Sequence, residues 1–221
     1  MTSLFTKYSK REGITFMDGI IFDVDGTLWD STDIVADAWA DYLIHVEHLD
    51  IDVSSARLKG LFGRLLPDIA AAVLPEYPKA EQLRIIEGYC KAEEEALRKN
   101  CAPLYPDLEK TLAALSKRYP LFIVSNCQAG YIEVFLEATG FGPYFIDHLC
   151  PGDTDLAKAG NIRKIVEKHH LKAPVYVGDT LGDFQACQDA GVPFIFAAYG
   201  FGDVTEPYAT IHTPADLLDI L

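Results

Sequence analysis

The chain has 221 residues, 49% of them hydrophobic and 24% charged, with a formal net charge of −14. That length suits one large domain or a core with a smaller insertion, and the acidity argues against a general nucleic-acid binder, which neutralises phosphates with clustered Lys and Arg. No apolar run reaches the length needed to span a bilayer, so no membrane partner is expected.

Residues 1–17, "MTSLFTKYSKREGITFM", carry basic side chains but no continuous apolar segment of the secretory kind. They read as an N-terminal lead-in, with Met17 an alternative start. The first predicted strand, "GIIFDV" at 19–24, carries Asp23 near its end and is followed by Asp25, Gly26 and Thr27. Like charges side by side at the end of a core strand are costly unless a cation offsets them.

From Asp30 to about Ala102 no strand is predicted. Val35, Ala38, Trp39, Tyr42 and Val46 recur at helical spacing, as do Leu83, Ile86, Cys90 and Leu97. This stretch exceeds what a crossover needs. It is expected to form a helical cap over 31–102, hinged near Asp30–Ser31 and Ala102–Pro106 on a core of 18–30 and 103–221.

Beyond the cap, helical spacing at 107–118, 129–139, 161–169 and 182–190 alternates with apolar runs. These are "LFIVS" (121–125), "YFIDHL" (144–149), "VYVG" (175–178) and "PFIFAA" (193–198). Asn161 is the expected cap of the third helix, ahead of a stripe of Ile162, Ile165 and Val166. Thr213 and Pro214 open the last helix as cap and first residue. Strands apolar throughout, alternating with helices, predict an α/β fold: a Rossmann-like parallel sheet covered on both faces. Five cysteines without a CxxC pair suit reduced thiols in a cytoplasmic protein. His169 and His170 read as surface residues, and Trp29 and Trp39 as packing, with Trp29 near enough to the first motif to face a substrate.

Ligands of an open parallel sheet bind beyond the carboxyl ends of its strands. There the sequence places Asp23, Asp25, Gly26 and Thr27; Ser125 and Asn126; Lys158; and "GDTLGD" with Asp179 and Asp183. Mg²⁺ takes oxygen ligands, one or two of them carboxylates. Asp23 and Asp179 supply carboxylates, and Asp25 a backbone carbonyl. Asp23 is also placed as a nucleophile on phosphorus, and Asp25 as acid and base for the leaving oxygen and the attacking water. Ser125, Lys158 and backbone amides near Asn126 suit the spread charge of a transferring phosphoryl group. The segment "AAYGFGD" (197–203) is expected to border the site through its backbone.

This ordered set of motifs resembles the haloacid dehalogenase superfamily, in its subgroup with a helical cap after the first strand, which includes phosphoglycolate phosphatases and β-phosphoglucomutase-like enzymes. "DVDGT" (23–27), Ser125, Lys158 and "GDTLGD" (178–183) are similar to its four motifs. The resemblance implies Asp23 as nucleophile, Asp25 as acid/base and Asp179 as a magnesium ligand. It makes Asp183 a second carboxylate that binds the metal or orients Lys158, and has Thr27 help place Asp25. Dehalogenating members resemble DxYGT and phosphonate-cleaving ones DxAGT. A carboxylate at Asp25 favours phosphate esters, whose alkoxide must be protonated.

In the cap, "LKGLFGRLLPD" (58–68) offers Arg64 as a bidentate donor to the substrate, with Lys59 a weaker candidate. The expectation is a Mg²⁺-dependent phosphatase for a small phosphorylated metabolite, monomeric or weakly dimeric. A sugar-phosphate mutase, a pyrophosphatase and a non-catalytic phospho-ligand binder are the alternatives.

Overall fold

The computed structural model describes residues 17–221, so the lead-in assigned to 1–17 lies, Met17 apart, outside the described residues. Six strands pair in parallel: β1 (Gly19–Phe22), β2 (Leu121–Val124), β3 (Phe145–Leu149), β4 (Pro174–Gly178), β5 (Phe194–Ala197) and β6 (Ala209–Ile211). Their order, β3-β2-β1-β4-β5-β6, puts β1 in the middle, with Phe22 opposite Ile123 on one side and Val177 on the other. Ile20 and Ile21 point to opposite faces and both are fully buried, as expected of a strand covered by helices on both sides.

The helices are α1 (Thr32–Tyr42), α2 (Ser55–Lys59), α3 (Leu66–Val73), α4 (Lys79–Lys99), α5 (Leu108–Leu115), α6 (Tyr131–Thr139), α7 (Pro151–Thr154), α8 (Lys158–Lys168), α9 (Leu181–Ala190) and α10 (Leu217–Ile220). The first four form the helical layer predicted between Asp30 and Ala102. In it Trp39 of α1 stacks on Tyr89 of α4, ring centroids 4.4 Å apart, and Tyr42 meets the same ring edge-on. Val46 does not continue the apolar stripe of α1. The helix loosens into a π-turn over Leu43–Glu47, which leaves Val46 58% exposed.

The two connections between this layer and the sheet lie side by side. Asp30 N–H donates to Pro103 O at 3.0 Å, and Trp29 bridges to Leu104.

Three sequence expectations shift. β1 stops at Phe22 because the chain turns there, with the N–H groups of Thr27, Leu28 and Trp29 all directed to Val24 O. α8 begins at Lys158 rather than 161, and Asn161 is not its cap. Buried inside the helix, Asn161 accepts from Thr154 Oγ1 and donates to Leu156 O, tying down the preceding loop. β6 has three residues at the sheet edge and was not anticipated. Thr213 and Pro214 do open the terminal helical turn, where Thr213 and Asp216 form a reciprocal capping box.

All five cysteines are free: four are buried and Cys101 is exposed. His169, expected at the surface, is half-buried: it pairs with Asp147 at 2.7 Å and packs its ring 4.6 Å from that of the buried Phe122.

Candidate active site

The chemistry gathers where β1, β2 and β4 end. Asp23 follows β1 directly and is held in place by its N–H, which donates to Val177 O at 2.9 Å. Ser125 follows β2, and Asp179 follows β4. Lys158 projects from the first turn of α8 and Asp183 from the first turn of α9. All five side chains are buried. Ligand oxygens of Asp23, Asp179 and Asp183 lie within 4.8 Å of one another.

Lys158 Nζ sits 2.5 Å from Asp183 Oδ1 and 3.0 Å from Asp23 Oδ1. The first contact is an aligned hydrogen bond, whereas the second is an ion pair whose geometry leaves Asp23 Oδ1 without an aligned donor. Asp183 is otherwise occupied: its Oδ2 accepts from Thr180 N–H and Thr180 Oγ1, closing the capping box of α9. Asp183 thus touches Lys158 directly while its ligand oxygen also lies in the cluster with Asp23 and Asp179.

Tyr176, whose hydroxyl donates to Val124 O at 2.6 Å, underlies the lysine with its ring centroid 5.8 Å from Nζ. The position of Tyr176 inside β4 carried no functional signal in the sequence.

Three carboxylates and one ammonium leave an excess of buried negative charge. Burial, followed by the nearby Asp183, pushes the Asp23 carboxyl from 3.8 up to about 7, against the pull of Lys158 and Ser125. Asp179 is raised for the same reasons, burial first and then Asp183 and Asp23. Burial opposes the charge of Lys158, but the Asp183 and Asp23 carboxylates outweigh it and raise the ammonium. A hard divalent cation among these oxygens fits the donor set and supplies the charge that is missing.

Asp179 is seated by close backbone packing. Phe201 N–H donates to its Oδ2 at 2.7 Å, so the segment after β5 borders the site through its backbone. Gly26, at φ +80°, passes so near that a Cβ there would stand 2.1 Å from Asp179 Oδ2. That turn also directs Thr27, whose Oγ1 donates to Asp179 Oδ1 at 3.3 Å, not to Asp25.

Asp25 is placed by other residues. Trp29 Nε1 (2.8 Å), Ser31 Oγ (2.6 Å) and Tyr131 OH (2.7 Å) all donate to its Oδ1. Burial raises the Asp25 carboxyl and these three bonds hold it back. With Oδ1 saturated by donors, Oδ2 is the oxygen left to exchange a proton. Trp29 and Ser31 lie just downstream of the motif. Tyr131 comes from α6, and nothing in the sequence linked it to Asp25.

Above this floor stand the helices of 31–102. Asn126, after β2, donates through Nδ2 to Gly63 O at 2.8 Å, while its Oδ1 is buried without a partner. Glu93 of α4 is buried and accepts from Trp39 Nε1 (2.6 Å) and from Gln128 Nε2 (2.8 Å). Burial carries it up to about 8 despite those two bonds.

Arg64 is not brought into the site. Gly63 turns the loop at φ +82°, and Arg64 lies exposed with Nη2 on Gly60 O at 2.9 Å. Lys59 is likewise engaged elsewhere, with Asp30 at 2.9 Å and over the Phe201 ring.

The family model described as haloacid dehalogenase-like hydrolase matches residues 20–197. A phosphoglycolate phosphatase from Photobacterium profundum is 28% identical, over 95% of this chain and 96% of its own. One from Escherichia coli (strain K12) is 25% identical, over 92% of each. Among solved structures, a predicted phosphoglycolate phosphatase from Haemophilus somnus superposes with a TM-score of 0.80 at 22% identity, covering 94% of this chain and 99% of that one. A haloacid dehalogenase-like hydrolase from Streptococcus pneumoniae gives 0.75 at 23%, over 92% and 97%. Both likenesses establish the fold.

Proposed function

The chain belongs to the haloacid dehalogenase-like hydrolase family and is a phosphatase of it, and from that premise we propose a Mg²⁺-dependent reaction on a small phosphate monoester that passes through an aspartyl-phosphate at Asp23. The observation that carries the proposal is the buried cluster itself: Asp23, Asp179 and Asp183 with ligand oxygens within 4.8 Å, and a buried Lys158 against two of them.

In this reading Asp23, Asp179 and the backbone carbonyl of Asp25 would hold the cation, and Asp183 would join them or orient Lys158. When bound, the cation supplies the positive charge that keeps Asp23 ionised and offsets the charge of the phosphoryl oxygens. A carboxylate oxygen of Asp23 attacks phosphorus, and the bond to the ester oxygen breaks. Asp25 delivers its proton to that oxygen from Oδ2, the edge its three donors leave free. Lys158 and Ser125 stabilise the phosphoryl oxygens as charge spreads over them. Asp25, now ionised, takes a proton from water. The water oxygen attacks phosphorus, phosphate departs, and Asp23 is restored. The helices of 31–102 act as a cap that excludes bulk water during both steps.

Phosphate release from a panel of phosphometabolites, with 2-phosphoglycolate as the reference drawn from the named relatives, tests the proposal. Release that requires Mg²⁺ and vanishes in Asp23→Asn is the expected result. Release unaffected by chelation, or undiminished in the variant, overturns it.

A further inference from the structure

Resting on the phosphatase reading above, we infer that the alcohol this enzyme releases carries no second anion: it is an uncharged, hydroxyl-bearing group of sugar or nucleoside size, not a carboxylate such as glycolate. The small chamber over Asp25 is walled by Trp39 and Glu93 from the helices, by Asn126 and Gln128 from the loop after β2, and by Tyr131. It adjoins a cleft of about 410 Å³ with which it shares Leu66, Asn126, Cys127 and Gln128. That cleft runs between Leu65, Leu83 and Ile86 on one side and Pro151 and Leu156 on the other. The chamber itself holds only about 40 Å³, so a released alcohol of sugar or nucleoside size would extend into the cleft, whose volume falls in the range of ligand pockets, roughly 300–1,000 Å³.

The walls of chamber and cleft offer no positive charge. Among the described lining residues the ionisable carboxyls are Asp25 and Glu93 in the chamber and Glu87 and Asp155 in the cleft, and none is Lys, Arg or His. The two nearby cations are committed elsewhere, Lys59 to Asp30 and Arg64 to the Gly60 carbonyl. Lys158 is enclosed by Asp23 and Asp183 on the phosphoryl side.

A substrate carboxylate in the chamber would be desolvated with no cation to receive it, which is the expensive case of charge burial. A hydroxyl finds the opposite. Asn126 spends its amide N–H on Gly63 and leaves a buried Oδ1 unpartnered, an acceptor in need of a donor. Trp39 and Gln128 hold Glu93 in place, making it the residue positioned to read that hydroxyl face.

The test compares kcat/KM for Mg²⁺-dependent phosphate release from glycerol 3-phosphate, glucose 6-phosphate and a nucleoside 5′-monophosphate with that from 2-phosphoglycolate and 3-phosphoglycerate. An aryl phosphate serves as the control for chemistry. The best uncharged alcohol should exceed both carboxylates by at least about tenfold. Leu66→Arg, which places a cation in the wall shared by chamber and cleft, should move that ratio toward the carboxylates by about tenfold or more. If that variant does not fold, Leu83→Lys, in the cleft wall, serves the same comparison and should move the ratio in the same direction. Carboxylates turned over as well as the best uncharged ester, or a ratio unmoved in the folded variant, overturn the inference and leave the phosphatase reading standing. Release from none of the esters, the aryl phosphate included, overturns both.

Discussion

Asp23 links stability to pH in a way a divalent cation should reverse. The folded chain holds the Asp23 proton up to about 7, against 3.8 for an ordinary aspartate. Because the raised value belongs to the folded state, the stabilisation it brings is complete below 3.8 and is lost as pH rises through about 7. Three units at about 1.4 kcal/mol each give a contribution on the order of 4 kcal/mol. Between pH 5 and pH 8 about two of those units are crossed, about 3 kcal/mol, which for a chain of this size corresponds to roughly 6–12 °C in Tm.

The measurement is thermal unfolding in chelator at pH 5 and pH 8, repeated with Mg²⁺, for the wild type and Asp23→Asn. The metal-free wild type should lose stability toward pH 8, and Mg²⁺ should restore it, more so at pH 8, where its ligands are deprotonated. Asp179 and Glu93 are raised too and pull in the same direction. The share belonging to Asp23 is therefore the difference between wild type and variant. A metal-free Tm that holds or climbs from pH 5 to 8, or an equal decline in Asp23→Asn, refutes the placement of Asp23 in an under-compensated carboxylate cluster.

Tyr131→Phe removes one of the three donors to Asp25 Oδ1; at about 1.5–3 kcal/mol for a bond to a charged group, kcat should fall roughly ten- to a hundredfold with the fold intact by circular dichroism. Asp25→Ala should depress turnover of alkyl phosphates far more than of aryl phosphates, whose leaving groups need no proton; equal losses across a leaving-group series would remove Asp25 from proton transfer. Gly26→Ala forces a Cβ into Asp179 at φ +80°, costing on the order of 1–3 kcal/mol in backbone strain and displacing a metal ligand. Its half-saturating Mg²⁺ for thermal stabilisation should rise, and an unchanged value would disconnect Asp179 from the cation.

What the sequence disclosed depended on how local the signal was. Strand ends are short apolar runs closed by polar residues, so Asp23, Ser125 and Asp179 could be placed from their own neighbours and prove to be gathered at one end of the sheet. The helical layer was legible as a long break in the alternation. Contacts made across the fold were not legible. Tyr131 reaches Asp25 from 106 positions away, and Glu93 meets Gln128 from 35. Thr27 was read through its motif as a neighbour of Asp25, but the positive φ of Gly26 turns it to Asp179 instead. Arg64 illustrates the same limit. Its type suits an anion, yet the turn at Gly63 sends it to solvent, and no composition argument sees that turn. Asn161 has the side chain of a helix cap and is used to anchor the loop before its helix.

The proposed mechanism turns on a covalent bond between Asp23 and phosphorus. Rapid acid quenching during steady-state turnover, followed by peptide mass spectrometry, tests it directly. A phosphoryl group is expected on the peptide that contains Asp23, formed only with Mg²⁺ and absent from Asp23→Asn. A phosphoryl group on another residue, or a bare Asp23 peptide while phosphate is being released, would contradict it.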